Sequence, residues 1–303
     1  MKKILALLMI FAVLISFSAC GESDLTDESL PDAGGLILNA GEKPTQTPPE
    51  TVYTISDEPL AENEYLTATL SEVYENVNGD IILRLILENK TDDVMDFYFD
   101  SASCNGYMLD TDWRLELDAG KTARSLITFS AEDLEMAGIE TAEEISFEFG
   151  AYHFLDNIDY LIKDITIYPT GLDEDSVTYP ERPPAKGEYI LFESDDLKVS
   201  IEDVDEDGED GYNLYMYAEN KSDKDIYIYT YSVSVNGYMM DSGWYQWILS
   251  GKKAAKCMTI SNYGLDLSGI EKVGEIEFGM SAYEDEGDTL FDETLTINPE
   301  IIG

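Results

Sequence analysis

One block of sequence occurs twice in this chain, 131 residues apart, and no other feature constrains the fold as strongly. Glu88-Asn-Lys-Thr-Asp92 returns as Glu219-Asn-Lys-Ser-Asp223. The same offset carries Asn105-Gly-Tyr-Met108 onto Asn236-Gly-Tyr-Met239, Trp113 onto Trp244, and Gly120-Lys121 onto Gly251-Lys252. It also carries Gly138-Ile-Glu140 onto Gly269-Ile-Glu271 and Ala151-Tyr152 onto Ala282-Tyr283. No gap interrupts residues 66–152, and from residue 88 onward roughly 40% of positions match, well beyond chance for a duplication. The last strand, Asp164-Ile-Thr-Ile-Tyr168, matches Thr294-Leu-Thr-Ile-Asn298 after a single deletion. Two like domains are therefore expected, at 51–169 and 188–303. Between them, residues 170–187 hold Pro180, Pro183, Pro184, Gly171 and Gly187 and read as a linker, stiff at its proline end.

Within each copy the apolar pattern has period two. Leu83, Leu85 and Leu87 alternate with Ile82, Arg84 and Ile86, and Phe97 and Phe99 alternate with Asp96, Tyr98 and Asp100. Alternation of this kind, bounded by turn residues, predicts half-buried strands. Asn105-Gly106 and Asn236-Gly237 supply the two positive-φ residues of a tight hairpin, and Gly120-Lys121 and Gly251-Lys252 mark a second turn. Only 131–137 and its counterpart 264–268 suit a short helical turn. About seven short strands in roughly 110 residues, with turns every 8 to 12, predict an all-β chain of two tandem immunoglobulin-like antiparallel sandwiches.

Ahead of the repeats, residues 1–19 have the layout of a cleavable secretory signal. Lys2 and Lys3 precede an apolar run over 4–17, which closes on Ser18, Ala19 and Cys20. The run is shorter than the ~20 residues of a spanning helix. Small residues just before a cysteine resemble the bacterial lipobox, with Phe17 standing where that motif usually has Leu. The resemblance implies that Cys20 carries the lipid and that the protein sits on the outer face of the cell membrane. An ordinary secretory signal with a fortuitous cysteine is the other reading of the segment. Residues 20–50, acidic and then rich in Thr and Pro (Pro44-Thr-Gln-Thr-Pro-Pro49), bury too little apolar surface to order themselves and read as a flexible tether. Its reach is roughly 30 Å by coil statistics.

The repeats resemble the tandem immunoglobulin-like domains of unknown function in surface lipoproteins of Gram-positive bacteria. The residues that carry this are the strand end Glu-Asn-Lys-Thr/Ser-Asp, the alternating strand after it and the Asn-Gly-Tyr hairpin. For such families the resemblance implies an extracellular binding or assembly role and no known chemistry.

Charge removes whole classes of partner. With 18 Lys and Arg against 63 Asp and Glu, the net charge is -45, and nucleic acid and anionic lipid both need cations this chain lacks. A single histidine, His153, leaves no basis for a His-containing triad or a multi-histidine metal site. No nucleophile elbow, phosphate loop or metal-binding cluster stands out, so no enzyme is expected and no cofactor beyond a calcium ion considered below. Apart from Cys20, Cys104 and Cys257 fall at non-equivalent positions of different repeats and read as two buried free thiols.

A duplication is its own control: features in both copies are read as structural, and features in one as specialised. Trp113 and Trp244 are shared and read as core anchors. Repeat 2 gains aromatics where repeat 1 has charge: Asp96, Tyr98 and Asp100 become Tyr227, Tyr229 and Tyr231, and Arg114 and Glu116 become Tyr245 and Trp247. Tyr215 and Tyr217 also point outward by parity. These seven rings form the candidate surface for an envelope protein or glycan. Packing of the rings against repeat 1, in a structural spacer or assembly subunit, is the alternative. A second candidate is Asp203-Val-Asp205-Glu-Asp207-Gly208, which has the spacing of the first half of a calcium loop, although Leu214 stands where the bidentate Glu belongs.

Overall fold

The computed structural model describes residues 51–53, 59–111, 113–153, 158–179, 182–285 and 287–302. Cys20, the signal segment and the tether lie outside the described residues. Repeat 1 contains β1 (Thr51–Tyr53), β2 (Ala61–Glu62), β3 (Leu66–Glu75), β4 (Ile81–Asn89), β5 (Met95–Cys104), β6 (Tyr107–Met108), β7 (Trp113–Leu117), β8 (Thr122–Phe129), α1 (Ala131–Met136), β9 (Ile145–His153) and β10 (Ile158–Ile167). Repeat 2 contains β11 (Tyr189–Glu193), β12 (Leu197–Asp205), β13 (Gly211–Asn220), β14 (Ile226–Val235), β15 (Tyr238–Met239), β16 (Tyr245–Ile248), β17 (Lys253–Ser261), α2 (Asn262–Leu267), β18 (Ile276–Glu284) and β19 (Thr289–Ile297).

Each repeat is an immunoglobulin-like sandwich. In repeat 1 a sheet ordered β1-β3-β4-β8 covers a second sheet of β10, β9 and β5, with β6 and β7 both paired to β5. Repeat 2 follows the same plan, β11-β12-β13-β17 over β19-β18-β14, with β15 and β16 paired to β14. The period-two pattern sets the inner faces. Leu83, Leu85, Leu87, Phe97 and Phe99 fill the first core, and Leu214, Met216, Ala218, Ile226 and Ile228 fill the second. α1 and α2 fall on the two segments read as helical turns, capped by Ser130 and Ser261.

The repeated motifs turn out to be polar staples. The Asn89 side-chain amide donates to the carbonyls of Asp93 (2.8 Å) and Leu117 (2.9 Å), and its oxygen accepts from Thr91 N–H and O–H. Asn220 repeats this with Lys224, Ile248 and Ser222. Both are buried, so each binds the end of one sheet to a strand of the other with no stranded polar group. Asn105 takes φ +47° and Gly106 +81°, as the hairpin requires, and Asn236 and Gly237 match them at +49° and +82°. The hairpin asparagines also accept from two backbone N–H groups ahead of the next strand, Glu143 and Glu144 in one copy and Gly274 and Glu275 in the other.

The two tryptophans anchor differently. Trp113 is half-buried and donates to Ser125 Oγ at 2.9 Å. Trp244 is buried, and because Lys256 replaces Ser125 its indole N–H has no partner among the described residues. Cys104 is buried, its thiol pushed up to about 12 by burial, whereas Cys257 is only half-buried, a correction to the expectation of two buried thiols.

The sequence suggests two sandwiches on a linker, but the structure joins them through their backbones. β6 of repeat 1 pairs in parallel with β17 of repeat 2, Tyr107 opposite Lys253 and Met108 opposite Ala254. Lys253 N–H donates to Gly106 O at 2.9 Å. One nine-stranded sheet thus runs through both repeats, ordered β10-β9-β5-β6-β17-β13-β12-β11 with β7 beside β5. Burial at the joint is reciprocal, with Met108 packed into the second core and Tyr217 and Ala255 into the first. The linker is part of this joint. The Arg182 guanidinium bonds Glu202 at 2.5 Å and the carbonyl of Met136 in α1 at 3.2 Å, and lies over the rings of Tyr107 and Tyr217.

A candidate partner-binding surface

β14 is the middle of repeat 2's second sheet, and its outer side carries Tyr227, Tyr229 and Tyr231 at period two. β16 aligns Trp247 beside Tyr227 and Tyr245 beside Tyr229. On the other flank β18 aligns Tyr283 with Tyr227 and Gly279 with Tyr231. The rings form a ladder, with centroids 5.6 Å apart for Tyr227–Tyr229, 6.0 Å for Tyr229–Tyr231 and 6.1 Å for both Tyr227–Trp247 and Tyr229–Tyr283. These are ordinary aromatic contact distances, so part of each ring's area stabilises the sheet and the rest faces solvent. Tyr245 is 64% exposed and Trp247 42% exposed.

Gly279 is a glycine because Tyr231 lies over it: a Cβ there would come 2.2 Å from the ring. Tyr231 ends the ladder on a carboxylate, its hydroxyl donating to Asp292 at 2.9 Å while Ser281 Oγ donates at 2.7 Å. Those two bonds, Ser281's first, hold the Asp292 carboxyl below the usual range, and the same carboxylate raises the Tyr231 phenol. At the far corner the Lys256 ammonium lies 5.6 Å from the centre of the Tyr245 ring. The surface therefore offers flat apolar faces edged by one carboxylate and one ammonium.

Two of the seven aromatics expected here belong elsewhere. Tyr215 and Tyr217 do point outward, but from β13, which lies in the opposite sheet. Tyr217 is buried in the joint between Arg182 and Lys198, with burial the chief cause of its raised phenol pKa. Tyr215 lines a cleft of about 650 Å³ between α1 and the outer side of repeat 2's first sheet, with Glu132, Glu135, Arg182 and Lys186 among its walls. Tyr283 joins the ladder in their place. Comparison of the repeats does not single it out, because Tyr152 matches it in repeat 1, where the ring packs on Tyr98 at 5.9 Å. What distinguishes it is its place on the strand beside the three tyrosines.

The calcium-loop reading is also corrected. Asp203 and Asp205 are part of β12, with a register shift between Ile201 and Asp203, and only Asp207 enters the turn. Asp205 Oδ1 accepts from Asp207 N–H at 3.0 Å, and Asp203 Oδ1 accepts from Val204 N–H. Among the described residues no group of three or more His, Cys, Asp or Glu could hold a metal ion.

No family model matches the sequence, and no curated protein matches it. Solved structures do show similarity. The Salmonella enterica SafA pilin in complex with the SafB chaperone is 10% identical, with 78% of this chain and 98% of that one covered and a TM-score of 0.25. The YadV chaperone is also 10% identical, over 71% and 92% of the two chains, with a TM-score of 0.21. A protein of unknown function from Porphyromonas gingivalis is 8% identical over 77% and 99%, with a TM-score of 0.24.

Proposed function

We propose that this protein is a lipid-anchored extracellular binding module, held at the membrane through Cys20, which recognises a protein or glycan partner on the outer face of repeat 2. The observation that carries this reading is the ladder of Tyr227, Tyr229, Tyr231, Tyr245 and Trp247, with Tyr283 beside it, where repeat 1 has Asp, Arg and Glu at most of the same positions. Rigid rings supply contact area at little entropic cost, and both sugar faces and apolar side chains stack on them. The ladder lies on the sheet away from the joint, and β17 reaches it only at the Tyr245 corner, through Lys256. Among the described residues no helix is long and apolar enough to cross a membrane, and attachment in this reading rests on Cys20 alone.

The test compares binding of the parent and of a Tyr245→Ala, Trp247→Ala double variant to purified cell-wall glycan and to envelope extract. Truncating the two most exposed aromatics of the ladder at about 1.4 kcal/mol each lowers affinity roughly a hundredfold. Equal retention of the parent and the variant on both materials refutes the assignment.

A further inference from the structure

The joint between the repeats is built from parts that both copies possess, and at each end of the chain one half is unused. β6 meets β17 within the chain. Among the described residues its counterpart β15 pairs only with β14, and β17's counterpart β8 pairs only with β4, so a strand edge stays open there at each. Exposure records the difference. Tyr107 and Met108 are 8% and 9% exposed, while Tyr238 and Met239, identical in sequence, are 55% and 67% exposed. A hairpin ending in Tyr-Met that is sealed in one copy and bare in the other is a surface with a known mate. That mate is the edge of a β8-type strand.

We propose that copies of this chain join head to tail, β15 of one pairing in parallel with β8 of the next, as β6 pairs with β17 within the chain. The contacts of the internal joint can be traced residue by residue. Lys253 N–H bonds Gly106 O, and the matching groups are Thr122 N–H and Gly237 O. Lys252 Nζ pairs with Glu144 at 3.2 Å, and Lys121 and Glu275 keep that pair. Ala254, small enough to lie under Met108, is matched by Ala123. Beside this edge Ile86 stands where Tyr217 does in the joint, and the outer side chain of Leu126 is exposed.

Some contacts do not carry over. Lys256, which pairs with Asp110, is Ser125 in repeat 1, Lys253, whose ammonium lies over the Tyr107 ring, is Thr122, and Arg182 comes from the linker that precedes repeat 2. The joint between chains is thus weaker than the joint within one, and its occupancy rises with concentration. Because the two contacting surfaces differ, the contact is heterologous and each added chain presents a fresh end, so assembly runs on as an open array. The strong negative charge opposes it, and salt that screens the charge favours it.

A disulfide trap tests the register. Thr122→Cys and Tyr238→Cys in one full chain place thiols where Lys253 and Tyr107 face each other inside the molecule, a separation that neighbouring strands share with disulfides. Both side chains are exposed, so neither substitution touches a core. On oxidation with diamide the double variant gives a ladder of dimers, trimers and longer multimers that a reductant dissolves. A mixture of the two single variants stops at dimers, since each carries one reactive end. The parent chain, with Cys20, Cys104 and Cys257 in place, sets the background. Multimers no more abundant than that background overturn the proposal. So does an equal ladder from Thr128→Cys with Tyr238→Cys, a pairing about 20 Å out of register.

Discussion

Replacing Arg182 with Ala tests whether the linker is a spacer or a structural clip. The guanidinium holds Glu202, a buried carboxylate, and spans from β12 of repeat 2 to the last turn of α1 in repeat 1. Removing one member of a buried ion pair leaves an uncompensated charge, a loss of about 3 kcal/mol at the lower end of such cases, suited here because Arg182 keeps some solvent contact. With a urea slope of about 3 kcal/mol/M the unfolding midpoint falls by about 1 M. Burial already raises the Glu202 carboxyl above its ordinary value, and Arg182 is the main influence drawing it back down. In the variant the folded-state pKa therefore moves further above the unfolded one. An acid raised in this way costs stability while ionised, and the cost is relieved as pH falls through the folded pKa toward the unfolded value, where the folded state takes up the proton. The midpoint gap between parent and variant is therefore widest at neutral pH and narrows as pH falls toward the ordinary carboxylate range, and Glu188, which Arg182 also holds down, loses part of its own stabilisation in the same direction. Adding Glu202→Gln to Arg182→Ala recovers most of the loss at neutral pH. A variant with the parent's midpoint, or a gap of constant size across that range, refutes the account of the joint.

Two further outcomes follow from the geometry. Asn220→Ala removes the side-chain donor to the carbonyls of Lys224 and Ile248 and the acceptor of the Ser222 N–H and O–H, and lowers stability by about 3 kcal/mol in thermal or urea unfolding; a change below about 0.5 kcal/mol would show that the repeated motif is not a staple. Millimolar calcium leaves the melting temperature where EDTA leaves it, because Asp203, Asp205 and Asp207 do not converge, and a concentration-dependent rise would overturn that reading.

The sandwich was legible because its signal is local. Parity along β4, β5 and β13 separates Leu83, Leu85 and Leu87, or Leu214, Met216 and Ala218, from their outward neighbours, and burial follows that division except at Ile82 and at Tyr217, which the joint covers. The Asn-Gly pairs read as hairpins because few residues accept positive φ. Parity says which side of a sheet a residue faces and not which strand lies alongside. For that reason the sequence alone groups Tyr215 and Tyr217 with rings in the opposite sheet and does not single out Tyr283. The joint left still less trace, since β6 and β17 are held chiefly by main-chain bonds and by Tyr107 and Met108, which repeat 2 also has. Asp203, Asp205 and Asp207 show the converse error: their spacing suits a calcium loop, but a strand keeps successive carboxylates apart.

The shared sheet also sets an order of events during synthesis. Repeat 1 is made first, yet until β13 and β17 exist its core lacks Tyr217 and Ala255, the outer edge of β6 has unpaired backbone and Met108 lacks the core it fills. Half-made chains crowded together would meet at that edge. Completion of repeat 2 closes it, so the second domain, besides whatever it binds, finishes and protects the first.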